Sequence, residues 1–317
     1  MLKRVDGRDI AHVHMRWSAK NPPIITVDPG DVLEIDIPDS STMQLTRDSV
    51  TADLARLDYD RVDAAVGPVY IRGAQPGKSL DVELLDLEAG SWGWSGVFRN
   101  FGYLKNRFDD ELVVWDLAGG FARPIRGFLR DVRVPVAPML GVIGVAPEFG
   151  EAPMIPPGPF GGNLDLPFNR TGATLRLPIF HEGALLSLGD PHAAQGHGEV
   201  CGTGIEAPAR ARIRVALPDR PAPRFPTVLV PPSPRPASSR GSRFVTTGIA
   251  PDLEVATREA VEAMLAAMAD EGWSEKEAYL LSSVVGDLRI GEVVDDPQRV
   301  VSMAIPAEFL HPPASES

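Results

Sequence analysis

Apolar and polar positions alternate in short runs along most of the chain, and only near the C-terminus do apolar residues recur at helical spacing. In PPIITVDPGDVLEIDIP, apolar residues return at every second position on both sides of Asp28-Pro29-Gly30-Asp31. A period of two predicts half-buried strands, and a Pro-Gly pair inside a four-residue reversal predicts a tight turn, so Ile24 to Ile37 reads as two strands. Gly67 to Leu87 repeats the arrangement around Pro76-Gly77, a weak internal echo. Further strands are predicted at Leu129 to Val136, Thr174 to Phe180, Arg210 to Leu217 and Thr227 to Val230, mostly bounded by Pro, Gly or Asp.

The texture then changes. Pro218 to Arg243 is rich in Pro, Ser and Arg and predicts an extended connector. Asp252 to Glu271 is nearly free of Gly and Pro, with Val255, Ala260, Val261, Met264, Leu265 and Met268 at helical spacing. Gly272 predicts its end, and Ser274 with Glu277 three residues on predicts a capped second helix continuing over Ala278 to Val285. Strands at Asp287 to Val294 and Val300 to Pro306 follow. The predicted class is mainly β, a large sandwich or barrel-like domain with a small C-terminal α/β unit. The expected division is 1–217, a connector at 218–243, and 244–317.

The 317 residues are 44% hydrophobic, ample for a sizeable core, and their 31 Pro and 30 Gly disfavour long helices elsewhere. A net charge of -12 argues against nucleic acid and anionic membrane partners, which require clustered Lys and Arg. A single cysteine, Cys201, excludes an internal disulfide framework and a thiolate-rich zinc site. The start MLKRVDGRDI lacks the apolar core of a secretion signal, and no apolar run approaches the ~20 residues of a membrane span. The expectation is a soluble cytoplasmic protein with a small-molecule partner.

Metal-ligand residue types are densest between Gly161 and Glu206. Asn163, Asp165, Asp190, His192, Gln195, His197, Glu199 and Glu206 fall there. In DPHAAQGHGE, Pro191, Gly196 and Gly198 oppose a helix and predict a loop able to fold closely around an ion. Two carboxylates and a neutral imidazole suit zinc or a similar divalent ion with a position open to water, and a nearby Glu is placed to move the water's proton. Such donors also serve manganese or nickel, and they leave room for an additional calcium. The competing reading is a plain turn with solvated His and Glu. His12 and His14 alternate ahead of the first strand pair and are either site-facing or bonded to backbone. Trp92, Trp94 and Phe98 read first as core and second as a pocket wall. No G-x-S-x-G elbow and no H-E-x-x-H pattern is present.

Several strings together resemble the acetamidase/formamidase family over nearly the whole chain. They are His14-Met15-Arg16-Trp17 with PPIITVDPGD, GPVYIRGAQPGKSLDVELLDL, GVIGVAPEFG, PPGPFGGNLDL, LPIFHEGALLSLGDPHAAQGHGEVCGTGIE and SEKEAYLLSSVVGDLRIGEVVD. The resemblance implies hydrolysis of short amides such as formamide or acetamide to carboxylate and ammonia, a metal in the site, and a homodimer or higher assembly. It implies Asp165 and His192 as metal ligands, Glu199 as ligand or acid/base, and Asn163, Gln195 and Gly162 toward substrate or water. His14 is a weaker metal candidate. The chain departs from the family pattern at Gln75, Lys78 and His197. Two alternatives remain, a non-catalytic amide- or metal-binding protein of the same fold and a hydrolase of a bulkier amide or other C-N bond.

Overall fold

The structure is a computed structural model. It describes residues 1–102, 104–126, 129, 132–231, 242–275, 278, 282 and 286–312. Among these, strands predominate and gather into a nine-stranded and an eleven-stranded sheet. The nine-stranded sheet takes in Leu2–Asp6, Val32–Ile37, Ala209–Ala216, Ser79–Ala89 and Thr174–Pro178, then Thr227–Val230, Arg243–Ala250, Arg299–Pro306 and Asp287–Glu292. The eleven-stranded sheet is built around Leu186–Ala194, which pairs with Ala65–Ile71, Met139–Gly144 and Ile205–Glu206.

One hydrophobic cluster joins the two sheets. Leu33, Ile35, Leu80, Val82 and Ile213 come from the first, and Val66, Leu140, Val142, Leu186 and Leu188 from the second. Period-two patterning is what permits this. Ala209–Ala216 alternates buried and exposed residues along its full length, with Arg210, Arg212 and Arg214 on the solvent side. Those arginines face Asp36, Glu34 and Glu83 on the adjacent strands, an exposed ion-pair row of small energetic weight.

The turn at Asp28 to Asp31 forms as predicted, closed by the Asp31 N–H on the Asp28 carbonyl at 3.0 Å. The strands beside it do not pair with each other. Ile25–Val27 lies parallel to Ala65–Ile71 in the eleven-stranded sheet, whereas Val32–Ile37 joins the nine-stranded sheet between Leu2–Asp6 and Ala209–Ala216. The second unit does the same, with Ala65–Ile71 in one sheet and Ser79–Ala89 in the other. The internal echo is therefore a repeated crossing between layers. Local alternation predicts that a strand exists, but its partner is set by long-range packing.

Near the C-terminus, Leu253–Asp270 is an α-helix whose Asp252 side chain accepts from the Val255 N–H at 3.0 Å as an N-cap. It packs on Arg243–Ala250 and Arg299–Pro306 through Ala256, Ala260, Met264 and Met268. Most of the predicted second helix, including Glu277, lies outside the described residues. Of the predicted strand Leu129 to Val136, the described residues contain only Val134–Pro135.

Candidate metal centre

The loop expected at Asp190 to Glu199 begins later than its prolines and glycines suggest. Leu186–Ala194 is a continuous strand through Asp190, Pro191 and His192, buried except at its last residue. Proline is tolerated because the strand is irregular there. Asp190 has a φ of 47°, and pairing with Ile205–Glu206 shifts register just beyond it, between His192 and Ala194. Pro191 offers no N–H, but its carbonyl accepts from Ala207 at 3.0 Å. His192 is thereby fixed in the middle of a sheet, with the Gly-rich loop following it.

Carboxylates crowd this imidazole. Its Nε2 is 2.9 Å from Glu206 Oε2, 3.4 Å from Asp190 Oδ2 and 3.6 Å from Glu199 Oε1, and its Nδ1 is 3.9 Å from Asp165 Oδ1. Among the described residues, two buried triads offer ligand atoms within 4.8 Å of one another, Asp165, His192 and Glu199, and Asp190, His192 and Glu206. Both fit a divalent cation. Asp165 Oδ1, Asp190 Oδ1 and His192 Nδ1 are buried without a hydrogen-bond partner, a costly arrangement unless something else satisfies them.

The backbone around these side chains is strained. Asp165, Asp190 and Glu199 all have φ between 42° and 47°, the left-handed region that branched and acidic residues enter at a cost on the order of 1 kcal/mol or more each. Gly141, on the neighbouring strand Met139–Gly144, leaves the necessary space, since a Cβ there would collide with Asp165 Oδ1 and Asp190 Oδ2.

Burial also governs the charges. It pushes Asp165 up to about 6 against the pull of His192, and Asp63 up to about 8 with help from Glu206 and Asp165. Asp190 and Glu199 rise well above the ordinary carboxylate range for the same reason. Burial would depress His192, yet Glu206, Asp165 and Asp63 outweigh it and raise the imidazole to about 9. Glu206 is the exception: burial pushes it up, but His192 and neighbouring donors hold it below its usual value. One imidazolium cannot balance so many buried carboxylates, and the alternatives are protons or a cation.

The centre opens into a cavity of ≈470 Å³ whose lining includes Asn163, Asp165, Asp190, His192, Glu199 and Glu206. Asn163 ends the strand Gly161–Asn163, and the bend at Asp165 keeps both side chains on the cavity. Gln195 donates to the Asp165 carbonyl at 2.8 Å and so supports the ligand loop from outside the lining. Gly162 packs beside Phe160 and Trp17, also away from the cavity. His14 stands 2.8 Å from Ser187 Oγ, outside both triads, and burial depresses it to about 4. His12 bonds the Asp6 carbonyl, His181 the Pro147 carbonyl, and His311 pairs with Glu271. Gln75, Lys78 and His197, the departures from the family pattern, do not line the cavity. Lys78 pairs with Asp219, and His197 packs on Phe168 beside Arg289.

Sequence reasoning missed three acidic groups here. Asp63 lies just before Ala65–Ile71 and lines the cavity. Asp295, after Asp287–Glu292, also lines it and accepts from Asn163 Nδ2 at 2.8 Å. Glu292 is fully buried behind it and accepts from the Val294 and Asp295 N–H groups. The available signal was acids set beside apolar residues, as in VDAAV and GEVVDDP. Trp94 belongs to a small buried cluster against which Phe98 and Trp92 pack, and Trp94 and Phe98, but not Trp92, also line the cavity.

Comparison with known proteins places this centre in context. The solved structure of a recombinant predicted acetamidase/formamidase from Thermoanaerobacter tengcongensis superposes with a TM-score of 0.86 at 30% identity, covering 98% of this chain and 97% of that one. An acetamidase from Bacillus halodurans gives 0.86 at 28% identity, covering 97% and 98%. A putative formamidase of Schizosaccharomyces pombe is 29% identical over 60% of each chain. The matched region spans 60–64% of the length of the curated relatives. The model of the Acetamidase/Formamidase family matches residues 3–150 and 149–311, so nearly all of the sequence is accounted for, and the chain belongs to that family.

Proposed function

We propose that the protein hydrolyses a linear primary amide, of the formamide and acetamide type for which its relatives are named, to a carboxylate and ammonia with the help of a divalent metal, zinc being the first to test. The observation that carries this is the pair of buried triads sharing His192, three of whose carboxylates are held in left-handed backbone and face a cavity. Strain of that kind persists where the surrounding fold over-determines a side chain's position.

Asp165, His192 and Glu199 would hold the ion, with Asp190 and Glu206 completing the acidic surround. A bound divalent ion supplies a lowered pKa for water and polarisation of a carbonyl oxygen. The chain's own part is positional and protolytic. Hydrolysis forms a C–O bond from water, breaks the C–N bond, and moves a proton from the water to the departing nitrogen. Glu199, on the loop at the cavity wall, is the group assigned to take that proton and return it. Asn163, fixed by Asp295, orients the amide. Gln195 acts indirectly by holding the Asp165 backbone.

The reading also carries a cytoplasmic address, expected from the single cysteine, and a homodimer or higher assembly, as family resemblance implies. Among the described residues no helix is long and apolar enough to cross a membrane. The decisive experiment measures ammonia from formamide and acetamide before and after chelation. Release that stops with chelator and returns with zinc is expected. A protein that binds the amide but frees no ammonia under metal-replete conditions is a binding protein, and the proposal fails.

A further inference from the structure

Formamide would leave most of the cavity without an occupant. At about 30 Å³ per water, ≈470 Å³ is room for on the order of fifteen water-sized groups, whereas formamide brings only a carbon, an oxygen and a nitrogen. Cavities of this size suit ligands with an extended apolar portion. The lining here takes in the acidic floor around His192, an apolar part formed by Leu57, Tyr59, Val62, Trp94, Phe98 and Phe101, and the exposed polar residues Arg99, Asn100 and Asp110.

That apolar part is built rather than incidental. Phe98 sits between Tyr59 and Trp94, 6.4 Å from each ring centre and edge-to-face with both, at 72° and 84°. Trp94 is itself oriented by a 2.9 Å hydrogen bond from its indole N–H to the buried Asp39. Gly96 and Gly202 make the space for the Phe98 and Phe101 rings, since a Cβ at either glycine would run into the ring. Gly102 lies against the Cys201 carbonyl, where a Cβ would come within 2.6 Å, so the aromatic loop is seated on the loop that carries Glu199. An apolar group laid against these rings displaces poorly held water favourably.

The floor decides which end of an amide faces it. Carboxylates accept hydrogen bonds, and an unsubstituted amide nitrogen brings two N–H donors. The carboxamide therefore lies at the floor, its nitrogen on acidic groups that the ion would leave free, and the acyl group extends along the aromatic wall.

We propose that the amide-hydrolysing site is built for primary amides with an apolar acyl group much larger than acetyl, a medium-length alkyl chain or an arylalkyl group. This rests on the amidase reading, and the experiment separates the two. With zinc-loaded protein, kcat/KM is measured by ammonia release for formamide, acetamide, hexanamide and phenylacetamide. The larger pair is expected to exceed acetamide by at least ~10-fold, since each buried methylene is worth roughly that much. Phe98→Ala and Phe101→Ala should each reduce the phenylacetamide-to-acetamide ratio of kcat/KM by ~10-fold or more, a readout that a general folding defect does not move. Acetamide turnover that matches or exceeds that of the larger amides overturns the inference while leaving hydrolysis intact. If no amide releases ammonia, the amidase reading fails, and calorimetric titration decides the cavity's preference: phenylacetamide binding no tighter than acetamide overturns the inference as well.

Discussion

Asn163 donates from Nδ2 to Oδ2 of Asp295 across 2.8 Å, tying the segment that carries Asp165 to the turn after the strand Asp287–Glu292. The link is reinforced on the neighbouring loop, where the Gly198 N–H donates to the Gly291 carbonyl at 2.7 Å. The C-terminal segment thus holds both chain stretches that present candidate ligands. Residues far apart in sequence meet at one centre because the edge of the nine-stranded sheet ends beside it.

Substitutions at Asp295 separate charge from hydrogen bonding. Burial, together with Glu292 and Asp165, pushes the Asp295 carboxyl well above its usual range. Asp295→Asn keeps an acceptor for Asn163 and removes a buried negative charge, so the metal-free protein should be as stable as wild type or slightly more so. Asp295→Ala leaves the Asn163 amide unpaired and should cost about 1–3 kcal/mol. Urea denaturation of both variants checks the order, and an Asn variant less stable than the Ala variant contradicts it.

Glu199 and His192 should fail in different ways. Glu199→Gln retains an oxygen ligand and most of the bound zinc, but it cannot carry a proton and should reduce kcat by at least ~100-fold. His192→Ala removes the residue common to both triads and should lose the ion itself. Metal content by atomic absorption, set beside ammonia release, distinguishes them. Near-normal turnover in the Gln variant removes Glu199 from proton transfer.

The metal-free protein should lose stability as pH rises from about 6.5 to about 8. Burial raises Asp63 and Glu292 to about 8, and the surrounding carboxylates raise His192 to about 9 despite burial. In that window these groups keep protons in the folded state that the unfolded chain has released, so increasing pH favours unfolding. At lower pH the trend is opposed, because burial depresses His14 and His197 to about 4 and the unfolded chain there binds more protons. Bound zinc should flatten or reverse the decline by taking the place of the protons. Denaturation midpoints at pH 6.5 and 8, with and without zinc, test this, and a metal-free midpoint that rises over the window contradicts it.

The helix Leu253–Asp270 shows how much of the fold could be read from the chain. Its span follows from helical spacing and from Gly272 at its end, but its buried face differs from the one that residue size suggests. Val255 is 46% exposed, while Ala256 and Ala260 are buried. The helix approaches the sheet at Gly248, where a Cβ would strike the Ala256 and Ala260 backbone, so only small residues fit at this end of the interface, while Met264 and Met268 fill the rest. The centre was legible in the same partial way. Asp165, Asp190, His192, Glu199 and Glu206 stood together in sequence, and the structure brings them together. Asp63, Glu292 and Asp295 arrive through sheet topology, about which local spacing carries no information.

Gly141 offers the sharpest test of the centre because it has no functional group of its own. It lies in Met139–Gly144, every residue of which is buried, and its carbonyl accepts from the Leu164 and Asp165 N–H groups at 3.0 and 3.3 Å. A Cβ at this position would press on the facing oxygens of Asp165 and Asp190 and come within 3.0 Å of His192 Cε1. Gly141→Ala should therefore displace members of both triads at once. Overpacking of this kind costs about 1–3 kcal/mol, tolerable for a domain this size, so circular dichroism should stay close to wild type. Misplaced ligands should weaken zinc binding by ~10-fold or more and reduce ammonia release in step with it. A folded Ala variant with wild-type zinc affinity would mean that Asp165 and Asp190 do not converge on the ion, and the centre would have to be sought in His192, Glu199 and Glu206 alone.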